Sequence, residues 1–512
     1  MSVLTTATGF LSTAFERRKQ TTYRSISSLG WTDWLGKFAI VFLAIATVAL
    51  AWHFDSMRLV SRILWYSTPG KALVIVGLLY GSVATVWTIW RLWLALRYRP
   101  MPVVEDHRLP KITVIVPSFN EGPLVGSTIR HLAAADYPSD RLEIIVVNDG
   151  SDDDTWDHIE AAARQFSHCV TAINCSENRG KRWALWEGMR RATGDIFVTV
   201  DSDSIIEKDA LRSVVSPMVH DPRIGGVAGN VRVLNRRDGI IPRMLSVRYV
   251  MTFDYKRAAQ SMMGGGAVLC CAGALAAYRR SAVMPVLEQW LHQTFRGGPA
   301  RAGEDHAMTN FIIQQGFKVV YQSSARVYTK SPTTYLGLCK MFLRWARSNT
   351  RESLHTLSYV FKAFRPERCT GIRFNYVMAA LGQFLPYPFL FTALLLSLFL
   401  PTIFGLKLLA SVTTASMLTL IFFAIRERST EAVFSFVYGF YSAVMLCWIQ
   451  PYALLTCGKS VWMTRVLKKE TGREMHVNST RTELVATIRP TLKLPAKNME
   501  PFQPMMAAEL VA

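Results

Sequence analysis

The sequence lacks the motifs that mark several common kinds of protein. Its eight cysteines include no CxxC pair and no zinc-ligand spacing, so we interpret them as reduced thiols. There is no Walker loop, and the turn PSFNEGPL after the first predicted strand lacks the glycine fingerprint of a dinucleotide fold. No internal repeat is present. These absences argue against a zinc module, a P-loop NTPase and a nicotinamide- or flavin-dependent oxidoreductase.

Acidic residues are also scarce: 37 Asp and Glu face 58 Lys and Arg, which gives a formal charge of +21. Nucleic-acid binding would explain such a charge. The basic residues, however, cluster beside apolar segments, in RLWLALRYRP, FKAFRPER and TRVLKKETGR. This is the bias that orients membrane proteins with basic loops in the cytoplasm. We therefore predict a multi-pass protein of the inner cell membrane, with the lipid bilayer and not nucleic acid as its partner.

Long apolar runs divide the chain. Two runs near the N-terminus and a block of three near the C-terminus are each long enough for a membrane helix of roughly 20 residues. Three C-terminal crossings would put the termini on opposite sides, so we expect a segment in the proline-interrupted region 376–401 to be split or not to cross. The predicted parts are a cytoplasmic segment 1–34, a transmembrane hairpin 35–97, a soluble domain 108–333, interfacial amphipathic helices 334–370, transmembrane helices 374–457 and a basic cytoplasmic tail 458–512.

The central region predicts an α/β fold with a mostly parallel, Rossmann-like sheet. KITVIVPSF, RLEIIVVNDG and DIFVTVDSDS are β-branched runs, each followed by a polar turn, and helical stretches alternate with them. Their ends carry acids and amides, which meet at one crevice when parallel strands share a sheet. These residues are Asn120, Glu121, Asp149, Asp201 and Asp203. The competing interpretation is that each one caps the following helix.

Several further residues could have a functional role, and for most of them a structural role competes with it. Asp201 and Asp203 suit Mg²⁺ or Mn²⁺ that also binds a diphosphate, because hard cations prefer oxygen ligands. Lys181, in NRGKRWAL, is a phosphate contact or part of a solvated face. Arg344 and Trp345 lie in MFLRWARSNTRES, for which we expect both roles: the helix lies at the membrane surface, and one of its faces closes the nucleotide site. In GEDHAM, Glu304 and Asp305 begin a helix or supply a catalytic base.

Five of these motifs together resemble a known family. VNDGSDDD, NRGKRWA, VDSDS, GED and RWARS occur in the order found in membrane-embedded processive family 2 glycosyltransferases, and the likeness is closest to hyaluronan synthases and rhizobial chitooligosaccharide synthase. VWMTR, at 461–465, resembles the segment after their last membrane helix. The resemblance implies a GT-A domain between membrane helices. It also implies an inverting, metal-dependent hexosyltransferase that polymerises UDP-sugars and extrudes the polysaccharide.

The resemblance assigns a role to each candidate. Glu304 and Asp305 would be catalytic, with Asp305 as base. Asp203, with Asp201, would bind the metal. Cys270 and Trp345 would contact the acceptor. The nucleotide sugar would be bound by Asn120, Glu121, Asp149, Lys181, Asp201, Arg344 and Trp345.

The chain departs from the family pattern around the acceptor. Met341 replaces a glutamine, Ala272, Gly273 and Ala274 replace Ser-Gly-Pro, and His306 replaces an arginine and is an alternative base. The expected donor is UDP-N-acetylglucosamine, alone or alternating with UDP-glucuronate. Open alternatives are a UDP-glucose-dependent curdlan- or cellulose-type synthase, a one-step polyprenyl-phosphate glycosyltransferase and a sensor that has lost catalysis.

Overall fold

This computed structural model describes residues 31–54, 58, 62 and 64–458. The first thirty residues, most of the predicted basic tail and the VWMTR motif lie outside the described residues. The described part holds an α/β domain, one long helix that follows it, Tyr335–Val360, and a set of apolar helices.

The elements follow one another in chain order, beginning with two apolar helices. These are α1 Trp31–His53 and α2 Thr68–Arg97. The first half of the α/β domain contains β1 Ile112–Ser118, α3 Pro123–Ala133, β2 Leu142–Asp149, α4 Thr155–Gln165, β3 Val170–Cys175, α5 Lys181–Arg191, β4 Ile196–Val200, β5 Ile205–Ile206, α6 Ala210–His220 and β6 Ile224–Val233. A helical run follows, formed by α7 Ile240–Val250, the π-helix Met251–Arg257 and α8 Ala258–Met262.

The second half of the domain completes the sheet and leads to the membrane. It contains β7 Leu275–Arg279, α9 Arg280–Val283, α10 Leu287–Leu291, β8 Thr294–Phe295, β9 Gly298–Pro299, α11 Glu304–Gln314 and β10 Lys318–Thr329. The remaining helices are α12 Tyr335–Val360, α13 Thr370–Phe384, α14 Pro386–Phe399, α15 Leu406–Glu427, α16 Phe434–Val444 and α17 Ile449–Thr456.

The main sheet has eight strands in the order β3-β2-β1-β4-β7-β6-β10-β5. The strands β3, β2, β1 and β4 are parallel neighbours, whereas β7 runs antiparallel to both β4 and β6. All seven residues of β1 are buried, as expected for a β-branched strand covered by helices on both faces. Because β1, β2 and β4 are parallel, their polar ends meet at one edge, as the sequence predicted.

Within the part of the chain that the structure describes, four helical stretches are long and apolar enough to cross a membrane: Trp31–His53, Thr68–Arg97, Thr370–Phe399 and Pro401–Glu427. A fifth, formed by Thr430–Val444 and Ile449–Thr456, is bent by 47°. The predicted split in 376–401 is therefore misplaced. Pro386 lies at the first turn of α14, where its missing N–H is tolerated, and Leu385 before it keeps helical dihedrals (φ −68°, ψ −34°). The interruption lies instead between Val444 and Ile449.

Both ends of the bent pair contact the side of the molecule that carries the α/β domain. Near its start, Glu431 accepts from Lys37 at 2.8 Å and lies 3.6 Å from Arg243 on α7. At its end, Thr456 accepts a hydrogen bond from Arg347 Nε on α12 at 3.0 Å. These contacts hold the two ends of the bent pair against α1, α7 and α12.

An ion-pair network ties the α/β domain to a membrane helix. Asp254, in the π-helix, is 3% exposed and accepts from Arg232 on β6 at 2.6 Å and from Arg426 on α15 at 2.9 Å. Glu427, next along α15, pairs with Arg232 at 2.9 Å. Because one buried carboxylate has cations from two elements, this network fixes α15 relative to the sheet.

Candidate active site

Three strand ends form the floor of a crevice. Asp149, the last residue of β2, is 2% exposed and accepts from the backbone N–H groups of Arg179 at 2.9 Å and Gly180 at 2.8 Å. After β1, Glu121 accepts from the hydroxyl of Ser202 at 3.1 Å, which links this turn to the end of β4. The predicted clustering of the strand ends is therefore present.

Asn120 has a local structural role. It adopts a left-handed conformation (φ 51°), a region that asparagine tolerates better than most residues. Its Oδ1 accepts from the N–H of Asp152 at 2.9 Å, and its own N–H donates to Ser151 Oγ at 3.0 Å. Asn120 is exposed and stabilises the turns around the crevice, but it does not cap the following helix, whose N-cap is Gly122.

A lysine joins two of the predicted acidic motifs. Lys181, the first residue of α5, has its Nζ 2.5 Å from Asp201 Oδ1 and 3.0 Å from Glu304 Oε1. Asp203 lies two residues beyond Asp201 and is half-buried. Lys181 thus connects the DSDS turn after β4 with the start of α11, two regions that are far apart in the sequence.

Gly273 lies at the centre of this group. A methyl group at its Cα would be 3.1 Å from Lys181 Nζ and 3.8 Å from both Asp201 Oδ1 and Asp305 Cβ. Its N–H donates to Asp305 Oδ2 at 3.2 Å, and the N–H of His306 donates to the other carboxylate oxygen at 2.8 Å. The missing side chain leaves space between the lysine and Asp305, and the backbone orients the carboxylate.

The two adjacent acids of α11 have pKa values shifted in opposite directions. Burial raises the pKa of Asp305 above its usual value, and the negative charge of Glu304 raises it further, although Lys181 and two backbone hydrogen bonds oppose the shift. For Glu304, burial also acts to raise the pKa, but the charges of Lys181 and Arg344 and the hydrogen bonds to its carboxylate together outweigh burial, so the pKa is lowered. Glu304 therefore stays ionised, and Asp305 binds a proton more readily.

Lys181 and Asp149 show how burial and neighbouring groups compete. Burial disfavours the charge of Lys181, but Asp201 and Glu304 outweigh burial and hold its pKa above the usual range. Burial raises the pKa of Asp149 to about 6, although the N–H groups of Arg179 and Gly180 lower it. A strongly buried carboxylate at a strand end is unusual in a purely structural turn, and such perturbed groups cluster at functional sites.

Helix α12 carries the predicted Arg-Trp pair to this crevice. Gly303 has φ +82°, and a methyl group there would be 1.7 Å from Ser348 Oγ, so the start of α11 packs directly against α12. Trp345 is half-buried, with its ring 6.5 Å from Tyr249 and 5.6 Å from Phe342. The charge of Arg344 acts on both Glu304 and Tyr249. The RW motif therefore lies beside the acidic cluster.

Cys270 and His306 flank Asp305. Burial, followed by the charge of Asp305, raises the pKa of the Cys270 thiol well above its usual value, while a hydrogen bond from Arg257 lowers it. Burial lowers the pKa of His306 to about 4, so this histidine is neutral near pH 7. Its Nδ1 has no hydrogen-bond partner among the described residues. A histidine whose pKa is lowered in this way is a weak proton acceptor.

The donor set for a divalent cation is small. Among the residues that the structure describes, no three His, Cys, Asp or Glu side chains are grouped to hold a metal ion. Asp201 and Asp203 supply carboxylate oxygens from one short turn. Mg²⁺ and Mn²⁺ in phosphate-binding sites typically use one or two carboxylates and complete their shell with substrate phosphates and water. The residues therefore fit a metal that binds together with a diphosphate.

Sequence reasoning missed three contributors to the site. Gly273 was noted only as a departure, and its backbone donor to Asp305 has no signature in a single sequence. Tyr249, which packs on Trp345, and Arg257, which donates to Cys270, belong to the block 246–261, where no residue was singled out. Aromatic and basic residues at close spacing in SVRYVMTFDYKR were the available signal.

The chain is similar to known glycosyltransferases. The family model described as "Glycosyltransferase like family 2" matches residues 110–348. An N-acetylglucosaminyltransferase of Azorhizobium caulinodans is 31% identical over 360 residues, which cover 70% of this chain and 87% of that protein. A hyaluronan synthase of Streptococcus pyogenes is 34% identical over 281 residues, which cover 54% of this chain and 65% of that protein.

A solved structure, the mannosyltransferase PcManGT of Pyrobaculum calidifontis in complex with GDP-Man and Mn²⁺, matches with a TM-score of 0.46 and 22% identity. The structural alignment covers 78% of this chain and 99% of the mannosyltransferase. The family match spans the α/β domain and extends through the RW motif. The relatives also confirm the resemblance inferred from the five motifs. The chain belongs to glycosyltransferase family 2 and is a hexosyltransferase with a GT-A domain flanked by apolar helices.

Proposed function

We propose that the chain is a processive, inverting β-glycosyltransferase that polymerises UDP-sugars and extrudes the polysaccharide through an inner membrane. The donor in this proposal is UDP-N-acetylglucosamine, alone or with UDP-glucuronate, and the catalytic domain faces the cytoplasm. Asp305 carries the proposal, because its oriented, proton-binding carboxylate lies beside Gly273 and the Lys181–Asp201 pair. The similarity to an N-acetylglucosaminyltransferase and a hyaluronan synthase supports the choice of donor.

In the proposed reaction, Asp305 accepts the proton of the acceptor hydroxyl as that oxygen attacks the anomeric carbon of the donor. The bond from the anomeric carbon to the diphosphate breaks, and UDP leaves from the opposite face, which inverts the configuration. The raised pKa of Asp305 makes its carboxylate a better proton acceptor than an ordinary aspartate. Backbone N–H groups of Gly273 and His306 fix the direction in which its carboxylate points.

Positive groups stabilise the leaving diphosphate. Lys181 on α5 and Arg344 on α12 supply positive charge in a partly buried place, where electrostatic stabilisation of the transition state is strong. Asp201 and Asp203 would hold Mg²⁺ or Mn²⁺, which when bound neutralises charge on the diphosphate. Asp149 accepts the imide N–H of uracil, Asn120 and Glu121 shape the nucleotide side, and Cys270 and Trp345 contact the acceptor.

Release of UDP with each nucleotide sugar tests the donor assignment. Purified protein in lipid nanodiscs is incubated with UDP-N-acetylglucosamine, UDP-glucuronate and UDP-glucose, first singly and then in pairs. We expect release with UDP-N-acetylglucosamine, and a rate with the uronate pair above the sum of the single rates if the polymer alternates. Release with UDP-glucose alone would overturn the assignment in favour of a β-glucan synthase.

The buried Asp149 predicts a pH dependence of donor capture. Because its pKa is raised to about 6, the carboxylate that accepts from uracil is lost as the pH falls below about 6. We expect kcat/KM for the donor to fall roughly tenfold per pH unit below that value, since this quantity reports the free enzyme. In Asp149→Asn, kcat/KM for the donor should be low at all pH values, and its decrease below pH 6 should disappear. If kcat/KM of the variant still decreased below pH 6 as in the wild type, the role of Asp149 would be contradicted.

Removal of divalent cations predicts loss of turnover. EDTA should abolish UDP release, and excess Mn²⁺ or Mg²⁺ should restore it. Asp203→Asn should raise the metal concentration needed for half-maximal UDP binding by at least about tenfold. Asp157→Asn, on the exposed face of α4, is the matched control and should behave like the wild type. Full activity in EDTA would refute a metal-assisted departure of UDP.

A further inference from the structure

A carboxylate with no role in the proposed reaction is buried between the elements of the site. Glu352, on α12, is fully buried. It lies seven residues after Trp345, so both side chains are on the same face of the helix, about 10 Å apart along its axis. Burying a charge is costly unless close partners compensate for it. The partners of Glu352 therefore indicate what the buried charge does.

Glu352 binds α11, the helix that begins with the candidate acids, through Asn310. The amide nitrogen of Asn310 donates to Glu352 Oε2 at 3.0 Å and to its backbone carbonyl at 3.1 Å. The amide oxygen accepts from the Tyr359 hydroxyl at 3.1 Å, which leaves the nitrogen facing the carboxylate. Asn310 is fully buried, five residues after Asp305 on α11. This pair therefore joins α11 to α12 in the interior.

The other carboxylate oxygen connects Glu352 to α5. Gln293 Nε2 donates to Glu352 Oε1 at 3.3 Å, and Gln293 Oε1 accepts from Arg182 Nη1, in the first turn of α5, at 3.0 Å. The same nitrogen of Arg182 donates to the Trp290 carbonyl at 2.6 Å. The indole N–H of Trp290 donates to the backbone carbonyl of Glu304 at 2.9 Å. A continuous chain of hydrogen bonds thus joins Glu352, α5 and the start of α11.

The residue before Glu352 holds the segment that leads into α11. Arg351 is 3% exposed and donates to the carbonyl of Ala302, three residues before Asp305. Its Nε lies 3.8 Å from Glu352 Oε1. The start of α11 and its middle are therefore both bonded to the same turn of α12.

Glu352 remains ionised in this setting. Burial raises its pKa, but its interactions with His355, His306 and Asn310 together lower it by more. Hydrogen bonds to a charged acceptor are shorter and stronger than those to a neutral one. Apolar residues of similar volume often replace a buried ionic group without loss of stability, so stability alone does not account for this network. A fully bonded polar network fixes one arrangement of its elements.

We propose that Glu352 is a positioning residue that sets the spacing between the base Asp305 on α11 and the Arg344–Trp345 pair on α12. This inference rests on the proposed function, which assigns those three residues their roles. Glu352 is fully buried and acts through Asn310 rather than on the substrate. Loss of the link lets the two helices shift. A displacement of about 1 Å at the reacting atoms can lower a rate by about 10²-fold.

Exchange of the two partners tests the inference. Asn310→Asp places two carboxylates in contact, and Glu352→Gln removes the charged acceptor. In the double variant the amide at position 352 donates to the carboxylate at position 310, while Tyr359 and Gln293 keep their acceptors. We expect each single variant to lower kcat by about 10–100-fold and the double variant to recover most of this loss.

The measurements use the full chain in nanodiscs. Titration with UDP counts the folded sites, and kcat is expressed per UDP-binding site with the donor at saturation. The Kd for UDP should stay within about twofold of the wild-type value in all three variants, because the link does not contact the nucleotide side. Glu160→Gln, which removes an exposed ion pair with Arg164 on α4, is the control and should leave kcat unchanged.

A lower Tm with an unchanged kcat per UDP-binding site in the single variants would overturn the inference and leave Glu352 a role in stability alone. Parallel losses of kcat and UDP affinity, or a double variant that does not recover, would also overturn it. If the wild type releases no UDP from any nucleotide sugar, the proposed function fails and the inference falls with it. An active wild type with unaffected variants refutes only the positioning role.

Discussion

Asp305→Asn is expected to lower kcat by about 10²–10⁴-fold, the usual contribution of a positioned general base. The amide has nearly the same shape and keeps its neighbours, but it cannot accept the proton of the acceptor hydroxyl. The affinity for UDP should change little, because Asp149 and Lys181 lie on other elements. Stopped-flow release of UDP and titration of UDP binding give the two values.

The comparison variants separate Asp305 from its neighbours. Asp140→Asn, an exposed carboxylate in a different turn, should leave kcat unchanged. His306→Gln should lower kcat by less than about tenfold, because a histidine with a pKa of about 4 contributes little as a base. If Asp305→Asn keeps a kcat within about threefold of the wild type while His306→Gln loses activity, the base is His306.

Lys181→Met is expected to lower the free energy of unfolding by about 3–5 kcal/mol, the cost of leaving a buried charge without its partner. Glu304 is 4% exposed, and Lys181 at 3.0 Å is the cation that keeps its pKa low. The variant should show a lower Tm in detergent and a large loss of kcat, since charge on the diphosphate side is also removed. Lys111→Met should show neither effect.

The double variant Lys181→Met, Glu304→Gln distinguishes stability from catalysis. Neutralising Glu304 removes the unpaired charge, so most of the lost stability should return, while kcat should remain low. Thermal unfolding of the four proteins in this cycle gives the coupling between the two residues. Additive effects on Tm would show that the pair does not interact as the geometry indicates.

The parts of the fold that depend on local sequence were predictable. The apolar, β-branched runs of β1, β2 and β4 predicted the parallel sheet, and the polar residues at their ends predicted the crevice. Two long apolar runs near the N-terminus predicted the helices α1 and α2. In each case a pattern of neighbouring residues determines the structure, so one sequence is sufficient to read it.

Long-range pairings were not predictable in the same way. Nothing near Lys181 in the sequence indicates Glu304, and the cluster exists only because α5 and α11 meet at the end of β4. Similarly, the prolines of region 376–401 were taken to interrupt a span, although Pro386 lies in the first turn of a helix, where proline is compatible with helical continuation. The contacts that Glu431 and Thr456 make with distant helices, at the two ends of the bent pair, likewise have no signal in the neighbouring sequence.

The most direct test of the account is the size of the product during a pulse and chase. The enzyme is loaded with labelled UDP-N-acetylglucosamine and unlabelled UDP-glucuronate, and excess unlabelled donor is added after a few turnovers. A processive polymerase that retains its chain predicts that the early label moves into long polysaccharide. Label that stays in a single-sugar lipid, or in free short oligosaccharides of fixed length, would contradict processive synthesis.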